Sequence, residues 1–393
     1  MGTQAESKLC FVGSARYREP LGVTEEKKFR LLKTLGELFI IGFAYDGKPH
    51  RFIQDAHFYL LPGLPWPVLR YLTFFLVAPF LILWLHIKYD MRVFIAQSPY
   101  EGLPAVLIKI LMGWAGRKIA VVVENHGDFE ESLFMQRRVS AAAAYRVAMR
   151  HVARYTIRRV DVFRAVSDST REQLERWKPG CRVVQFVAWT DIEAFQQVGK
   201  QRTETCSQTF AYAGVIIPRK GLIHLINAFI TLAEDFPDAQ LLIVGSEDNP
   251  DYAEQLKVCV REAGLESRVI FPGGMSQQQL AEYLGQADVF VFPSYSEGLP
   301  RAVYEAMAAA LPVIATAVSG IPQVVREGET GFLLEPGDEA GFAEKMRWTL
   351  EHPEETREMG RKAFSFANAF FSGDSYRQGY REILDAVRNP LPK

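Results

Sequence analysis

A chain of 393 residues is longer than one ordinary hydrophobic core supports, so the length predicts two domains. With 48% hydrophobic and 23% charged residues the composition is globular, which excludes a low-complexity or disordered chain. The net charge of −1 conceals an asymmetry, because residues 1–190 hold 27 Lys and Arg against 17 Asp and Glu, whereas the remainder holds 18 against 29. The first half therefore suits an anionic partner and the second does not.

The four cysteines show no paired spacing, which favours reduced thiols in a cytoplasmic protein. They are Cys10, Cys181, Cys206 and Cys259. Residues 1–8 are polar and lack the apolar run of a signal peptide. Glu6 stands where a myristoylation signal needs Ser or Thr. These features predict a cytoplasmic location.

Short apolar runs alternate with amphipathic stretches along the chain, which predicts a doubly wound α/β protein. The strands predicted in the first half are Leu9–Gly13, Leu38–Phe43, Val93–Gln97, Ile119–Glu124 and Val162–Val166. Those in the second half are Thr209–Ala213, Gln240–Val244, Val269–Phe271, Val289–Phe292 and Val313–Ala315. Helices are predicted between most of them, for example over Leu222–Asp235 and Tyr252–Ala263, and a last helix over Ser372–Arg388.

A polar segment without periodicity, Gln196–Gln208, separates the two series of strands. The strand pattern restarts immediately after it with TFAYAG. We therefore predict a first domain over 1–195, a second over 196–370 and a terminal helical segment over 371–393.

An apolar segment of the first half bears on location. Leu72–Ile87 is sixteen residues without a charge, which is short of the roughly 20 that span a bilayer, and Pro79 interrupts it. Three interpretations stay open for this segment: a core helix, an interfacial helix that contacts lipid, and a true span.

A basic stripe follows in the same half, where Arg146, Arg150, Arg154 and Arg158 recur every four residues. A solvated helix face is the ordinary interpretation of such a stripe. Because the half-chain is strongly basic, we favour contact with anionic lipid or a phosphate-bearing acceptor. Nucleic acid is disfavoured, because no aromatic-interleaved binding motif accompanies the charge.

The most informative stretch is PSYSEGLPRAVYEAMAAALPVIAT, residues Pro293–Thr316. A buried strand ends in a polar turn that holds Glu297, and a helix beginning at Pro300 holds Glu305 eight residues later. Ligands of open α/β sheets bind at the carboxyl ends of strands, beside helix N-termini that attract phosphate. Two carboxylates repel phosphate and should bind neutral sugar hydroxyls, each charge-assisted bond contributing about 1.5–3 kcal/mol.

This block resembles the E-x7-E signature of the retaining GT-B glycosyltransferases of the fourth sequence family, the glycosyl transferases group 1. The resemblance extends over residues 9–388 and is strongest over 209–338. It implies two Rossmann-like domains facing an interdomain cleft: residues 1–195 bind the acceptor, 196–370 bind the nucleotide sugar, and 371–393 cross back to the first domain.

The resemblance also assigns donor-binding residues. It implies that Glu297 contacts the sugar hydroxyls, that Glu305 contacts the ribose, and that Gly298, Leu299 and Pro300 line the donor site. AGVIIPRKG (Ala213–Gly221) resembles the first strand–loop–helix of the donor domain, and the donor-binding residues predicted there are Gly214, Arg219 and Lys220.

A lysine at the diphosphate would neutralise the charge growing on the leaving group, and losing one such contact costs about 3–4 kcal/mol. The resemblance further places Gly245 near the nucleotide and the backbone at Phe271 near the base. GETGFLLEPGD (Gly328–Asp338) resembles the hairpin-like element that follows in the family. Where the family usually has a phosphate-clamping arginine this chain has Val215, so we expect Arg219 or an arginine of the first domain to replace it.

In the first half, LCFVGSARYREPLG (Leu9–Gly22) resembles the first strand and glycine loop of the acceptor domain. Gly13 would there let backbone amides approach the diphosphate, and Arg16 or Arg18 could supply the missing clamp. VVVENHGDFEESL implies that His126 lies beside the donor sugar and the reacting oxygens, with Asp128 as a further candidate. Ser167 follows another predicted strand and is expected to cap a helix.

Taken together, the resemblance implies a retaining hexosyltransferase with His126, Lys220 and Glu297 as catalytic residues. The resemblance implies metal-independent catalysis, with which the lack of an Asp-x-Asp pair agrees, and no cofactor is expected beyond the nucleotide-diphosphate sugar co-substrate. The expected acceptor is a glycan or lipid-linked molecule of cell-envelope synthesis, met in the cytoplasm or at the inner face of an anionic membrane. Two alternatives stay open: a sugar phosphorylase or synthase on the same fold, and a non-catalytic nucleotide-sugar-binding scaffold.

Overall fold

The computed structural model describes residues 7–126, 142–202 and 207–389. The chain forms two compact units, one from Met1–Trp189 with Gly373–Lys393 and one from Thr190–Ser372. The division falls after Trp189 rather than at the predicted residue 195. The reason is that a helix over Glu193–Gln201 runs into the segment predicted as a linker, and Phe195 of this helix is fully buried in the second unit.

The first unit is built on a mostly parallel sheet. Its strands are β1 (Ser7–Tyr17), β2 (Gly36–Ala44), β3 (His50–Ile53), β4 (His57–Leu61), β5 (Val93–Ala96), β6 (Ala120–Asn125), β7 (Val162–Ala165) and β8 (Val183–Gln185). Their order is β3-β4-β2-β1-β5-β6-β7-β8, and β3 pairs antiparallel with β4. Successive strands are added on one side of β1 up to β3 and β4, and from β5 onward they are added on its other side, so the strand order reverses between β1 and β5.

Helices cover both sides of this sheet. In the described residues of this half they are α1 (Val23–Lys33), α2 (Pro67–Tyr89), α3 (Leu103–Trp114), α4 (Ala142–Ile157) and α5 (Asp168–Trp177). Apolar side chains of α2, α3 and α4 share one core with the strands, and Phe29 and Leu32 of α1 belong to the core on the other side.

The second unit holds a parallel sheet of β9 (Thr209–Ala213), β10 (Gln240–Val244), β11 (Val269–Gly273), β12 (Val289–Phe292), β13 (Val313–Thr316) and β14 (Gly331–Leu334). The strand order is β11-β10-β9-β12-β13-β14, so the chain reverses direction across the sheet between β9 and β12. The α-helices that follow in the described part of the chain are α6 (Glu193–Gln201), α7 (Leu222–Ala233), α8 (Pro250–Glu262), α9 (Gln277–Gln286), α10 (Arg301–Ala308), α11 (Glu339–Glu351), α12 (Pro353–Phe370) and α13 (Gly373–Arg388).

Helix α13 packs on the first unit, although it follows the second in the chain. Its residues Tyr376, Tyr380 and Ile383 are buried in the core that also contains apolar side chains of α1 and β1. The crossing back that the family resemblance implied is therefore confirmed.

Three local predictions were wrong. The segment 328–338 is not hairpin-like, because Gly331–Leu334 extends the sheet as one edge strand parallel to β13. Gly13 does not end the first strand, because β1 continues through a register shift to Tyr17, whose buried ring packs on Phe29 and Phe58. Pro79 does not interrupt α2.

Helix α2 has the composition of a membrane-seeking segment as well as a core face. Within the described part of the chain, Leu69–Tyr89 is the one helix that is long enough and apolar enough to cross a bilayer, judged by length and composition alone. Its inner residues Phe74, Ala78, Ile82 and Leu85 are nevertheless fully buried against the sheet. One side of α2 therefore belongs to the core of the first unit.

Candidate active site

The carboxyl ends of β9 and β12 lie side by side at the point where the strand order of the second unit reverses. Such a switch point leaves room between two loops that turn in opposite directions, which is where open α/β sheets bind ligands. The loop after β9 is Gly214–Gly221 and the loop after β12 is Pro293–Pro300. These are the two loops in which the sequence predicted donor-binding residues.

The two loops approach each other closely at Gly221. This residue has a φ of 65°, a conformation that glycine adopts without steric cost. A Cβ built on Gly221 would lie 2.3 Å from the carbonyl oxygen of Pro293. The amide of Tyr295 also donates a hydrogen bond to the carbonyl of Arg219 at 3.0 Å. Lys220 is thereby fixed against the loop that carries Glu297.

Glu297 is the centre of a small polar cluster. Its Oε1 accepts hydrogen bonds from the Lys220 ammonium, from Ser294 Oγ at 2.6 Å and from Arg219 Nη1 at 3.4 Å. The side chains of Lys220 and Glu297 are each only 9% exposed. Burial lowers the pKa of Lys220, and the neighbouring carboxylate of Glu297 opposes that shift. The structure therefore pairs the predicted phosphate-binding cation with the predicted sugar-binding carboxylate.

Glu305 lies on α10, on the helix that begins directly after the Glu297 turn. It is buried, and its Oε1 is 3.2 Å from Gln277 Nε2 and 3.3 Å from Arg301 Nη2. Burial raises the pKa of this carboxyl group, and Arg301 partly offsets the rise. Gln277 begins α9, so Glu305 lies next to the loop that follows β11.

A pocket of about 630 Å³ opens at the ends of β9, β10 and β11. It is lined by residues that include Gly214, Gly245, Gly274, Ser276 and Gln279. A Cβ on Gly245 would lie 1.8 Å from the carbonyl oxygen of Gly214, so the two predicted donor-binding glycines touch through their backbones. A side chain at residue 245 would force the ends of β9 and β10 apart.

The remaining predicted residues of this unit lie at the same edge of the sheet. Phe271 is part of β11, and Gly298, Leu299 and Pro300 form the turn that leads into α10. The carbonyl of Gly298 accepts a hydrogen bond from the amide of Gly320 at 2.9 Å, which joins this turn to the loop after β13.

In the first unit, His126 directly follows β6 and its side chain is 42% exposed. Its Nε2 lies 3.1 Å from Oε2 of Glu124, a buried glutamate of β6. Glu124 Oε1 accepts hydrogen bonds from Arg164 Nη1 at 2.8 Å and from Tyr380 Oη at 2.6 Å. The predicted catalytic histidine is therefore held by a buried carboxylate. Asp128 lies outside the described residues.

The Glu124–Arg164 pair is almost completely enclosed, with side-chain exposures of 4% and 1%. Burial alone would raise the pKa of Glu124, but Arg164 and the hydrogen bonds from His126 and Tyr380 outweigh it and hold that pKa well below its usual range. The guanidinium of Arg164 also lies 4.1 Å from the ring centroid of Phe186. The pair joins β6, β7 and α13.

Gly13 is buried within β1, next to the strand-order reversal of the first unit. A Cβ on it would lie 2.2 Å from Gln97 Oε1, so its missing side chain makes room for Gln97. The amide of Ser14 donates a hydrogen bond to the buried carboxylate of Glu101 at 2.8 Å.

Three arginines were considered as replacements for the missing phosphate clamp. Arg16 and Arg18 are exposed, whereas Arg219 contacts Glu297.

Ser167 caps α5, as expected. Its Oγ accepts from the amide of Thr170 at 3.3 Å, and the Thr170 hydroxyl returns a contact to the amide of Ser167 at 3.0 Å. This reciprocal pattern satisfies the first free donors of the helix.

Sequence reasoning missed several neighbours of the predicted residues. Ser294 is fully buried beside Glu297, and His224 bridges Glu339 Oε1 at 2.6 Å and the Tyr295 hydroxyl. A serine two residues after an apolar strand was a usable signal for Ser294, whereas Gln277 and Glu339 come from distant segments. Across the described residues, no three His, Cys, Asp or Glu side chains are grouped so that they could hold a metal ion.

Two family profiles match the chain. The profile described as Glycosyl transferases group 1 matches residues 194–366, and the profile described as Glycosyltransferase Family 4 matches residues 31–185. The chain belongs to the group 1 glycosyltransferases. The family assigned from the Glu297–Glu305 block is thus confirmed.

Individual relatives are distant. The chain is 32% identical over 256 residues to the N-acetyl-alpha-D-glucosaminyl L-malate synthase of Bacillus anthracis, which covers 62% of this chain and 64% of the relative. It is 34% identical over 165 residues to the D-inositol 3-phosphate glycosyltransferase of Streptomyces coelicolor, covering 40% of this chain and 36% of the relative. The match thus spans less than two thirds of each relative.

The fold has close counterparts among solved structures. Anabaena Alr3699/HepE, solved in complex with UDP, superposes with a TM-score of 0.73 at 18% identity and covers 97% of this chain and 100% of its own. With its two parallel-sheet α/β units, this member of the glycosyltransferase family has the GT-B architecture.

Proposed function

We propose that this glycosyltransferase moves a hexosyl group from a nucleotide-diphosphate sugar to an acceptor hydroxyl with retention of anomeric configuration. The observation that carries the proposal is the buried contact of Lys220 with Glu297 at the strand-order reversal of the second unit. A cation for the diphosphate and a carboxylate for the sugar hydroxyls meet there at a place where α/β sheets bind ligands. The UDP bound to the related Anabaena structure supports a nucleotide donor.

In the proposed reaction the bond between the anomeric carbon and the diphosphate oxygen breaks, and the acceptor oxygen bonds to that carbon from the same face. The departing phosphate accepts the acceptor's proton. Lys220 and Arg219 neutralise the charge that grows on the leaving group, which lowers the barrier because these donors are already oriented. Glu297, held by Ser294, binds the sugar hydroxyls, and His126, held by Glu124, contacts the sugar on the acceptor side. The proposal needs no metal ion.

Gly214, Gly245 and the β11 end at Phe271 form the proposed nucleotide subsite. The Glu305 carboxylate accepts hydrogen bonds from the ribose hydroxyls, and Gln277 and Arg301 lie beside it. Because these contacts lie mostly on backbone and on one carboxylate, this subsite fixes the ribose and diphosphate more strongly than it selects the base.

We further propose that the acceptor is a glycan or lipid-linked molecule of cell-envelope polysaccharide or glycolipid synthesis. The enzyme would then act in the cytoplasm and at the inner face of the membrane. The supporting observation is the excess of basic residues in the first half of the chain, which suits a phosphate-bearing or lipid-bound partner.

Replacing Glu305 with alanine should weaken nucleotide-sugar binding roughly ten- to hundredfold, because one charge-assisted pair of hydrogen bonds to the ribose is lost. A thermal-shift screen of UDP-, GDP- and ADP-sugars identifies the donor, and the stabilising shift should then shrink or vanish in Glu305→Ala. Glu344→Ala, an exposed glutamate of α11, is the matched control and should keep the full shift. An undiminished shift in Glu305→Ala would contradict the assigned ribose contact.

Two alternatives give different products in the same assay. A phosphorylase on this fold would release sugar phosphate when inorganic phosphate replaces the acceptor. A binding scaffold would show the thermal shift but no release or transfer of sugar, and Val215 in the usual arginine position is the feature that favours it.

A further inference from the structure

The outer side of α2 and α3 is an apolar surface on the first unit. On α2 the residues that point away from the core include Leu72, Leu76 and Phe80, of which Leu76 and Phe80 are 66% and 74% exposed. On α3, which packs beside α2, Leu107 and Leu111 are exposed at a spacing of one helical turn. We call these residues, with Ile87 and Trp114, the α2–α3 face.

A contiguous exposed apolar stripe of this length marks a binding surface, because its exposure to water does not stabilise the folded chain. The inner residues of α2 already fill the core of the unit, so α2 offers only its outer half to a partner. A helix held in this way can lie along a surface but cannot cross a bilayer without losing its core contacts.

The ends of the two helices carry the residues that favour a bilayer interface. Trp66 caps the start of α2 and Trp114 ends α3, and these indoles are 65% and 85% exposed. Near the end of α2, the Lys88 ammonium lies 4.6 Å from the ring centroid of Trp84. Tryptophan and lysine at the ends of an apolar stretch are typical of segments whose middle contacts acyl chains and whose ends contact headgroups.

The charge around the α2–α3 face is one-sided. Between Leu64 and Lys118 the acidic residues are Asp90 and Glu101, and Glu101 is buried. The basic residues of the same segment are Arg70, Lys88, Arg92, Lys109, Arg117 and Lys118. On α4, which packs beside α3, Arg150 and Arg154 are exposed as well, whereas the side chain of Arg146 lies outside the described residues. Arg92 and Lys109 form ion pairs with Asp90 and Asp161, so the charge that complements anionic lipid headgroups comes from the other basic residues of this set.

We infer that the α2–α3 face is a monotopic docking surface for an anionic lipid bilayer, with its leucines and Phe80 in the acyl boundary and its basic rim on the headgroups. This inference rests on the proposed place of the enzyme at a membrane. It is nevertheless separable from the proposed transfer reaction, because vesicle binding requires no donor and no acceptor.

The test is flotation of the full chain with phosphatidylcholine vesicles that contain or lack phosphatidylglycerol. The wild type should float with the anionic vesicles, and Leu76→Ser/Phe80→Ser should partition about a hundredfold more weakly, because two apolar side chains that would enter the acyl boundary are removed. Val23→Ser is the matched control, since Val23 is 69% exposed on α1, at the opposite side of the sheet, and this variant should float like the wild type.

A charge variant separates the two contributions. Lys88→Gln/Arg117→Gln/Lys118→Gln should weaken binding to anionic vesicles about a hundredfold and leave the weak binding to neutral vesicles unchanged.

The inference is overturned if the wild type does not float, or if Leu76→Ser/Phe80→Ser floats as well as Val23→Ser. It is also overturned if the wild type elutes as a dimer that Leu76→Ser/Phe80→Ser dissociates, since the face would then bind a second copy. The thermal shift with nucleotide sugar should be the same in all variants, so failure of the donor site is detected separately.

Discussion

Replacing Lys220 with alanine is expected to lower the rate constant of glycosyl transfer by about a hundred- to a thousandfold. The ammonium lies in a nearly enclosed site, where a charge acts on a developing phosphate anion more strongly than it does in water. Because that anion develops in the transition state, the loss should fall on kcat more than on the KM for the donor. Initial rates of nucleotide release, measured over a range of donor concentrations, give both constants.

The control for this prediction is Lys362→Ala, which removes an exposed lysine of α12 in the same unit. It should transfer sugar at the wild-type rate. Because Lys220→Ala leaves Glu297 with Ser294 and Arg219 as partners, the carboxylate is not left unsatisfied and the variant should fold. A rate within threefold of the wild type, in a variant that still binds donor, would remove Lys220 from the mechanism.

Replacing Glu124 with glutamine is expected to lower the free energy of unfolding by about 3–5 kcal/mol. The substitution leaves the Arg164 guanidinium enclosed without a counter-charge, which is costlier than the loss of the pair as a whole. The double variant Glu124→Gln/Arg164→Met should therefore be more stable than Glu124→Gln alone. Tyr380→Phe should cost less, about 1.5–3 kcal/mol, because it removes one hydrogen bond to the carboxylate.

The pH dependence of this effect has a defined sign. The pKa of Glu124 is held below its usual value in the folded protein, so its contribution to stability is complete above the pKa of an unfolded glutamate, about 4.3. That contribution is lost as the pH falls from there through the folded-state pKa. Urea unfolding at several pH values should thus show the largest difference between wild type and Glu124→Gln near neutrality. A difference that grew toward acid pH would contradict the assigned ionisation.

The sequence predicted the buried parallel strands most accurately. β9, β10 and β12 begin and end at the predicted residues, because a strand covered on both faces is a continuous apolar run between polar turns. β3, β4 and β8 were not predicted. β3 and β8 are short and their side chains are mostly only partly buried, whereas β4 was missed although most of it is buried. The hairpin assigned to residues 328–338 failed for a related reason: turn residues on both sides of a short strand do not tell whether its partner is local or distant.

The proximity of the proposed donor residues Lys220 and Glu297 was predictable because family resemblance and strand-end topology pointed to the same two loops. Lys220 and Glu297 are separated by 77 positions, yet each follows a strand adjacent to the reversal, and the structure joins them. The hydrogen-bonded residues that hold His126, namely Glu124 and its partners Arg164 and Tyr380, could not be predicted in this way. Glu124 and Arg164 face each other only because β6 and β7 pair in that register, and Tyr380 reaches them from a helix more than two hundred residues later.

The position of α13 has a consequence for synthesis on the ribosome. The second unit is contiguous in the chain, so it can complete its fold as soon as it has emerged. The first unit emerges earlier but lacks Tyr376, Tyr380 and Ile383, which cover one side of its sheet, until the last helix has been translated. The half that is made first is thus finished last, and during the interval its uncovered side and the Glu124–Arg164 pair are accessible to water, chaperones and proteases.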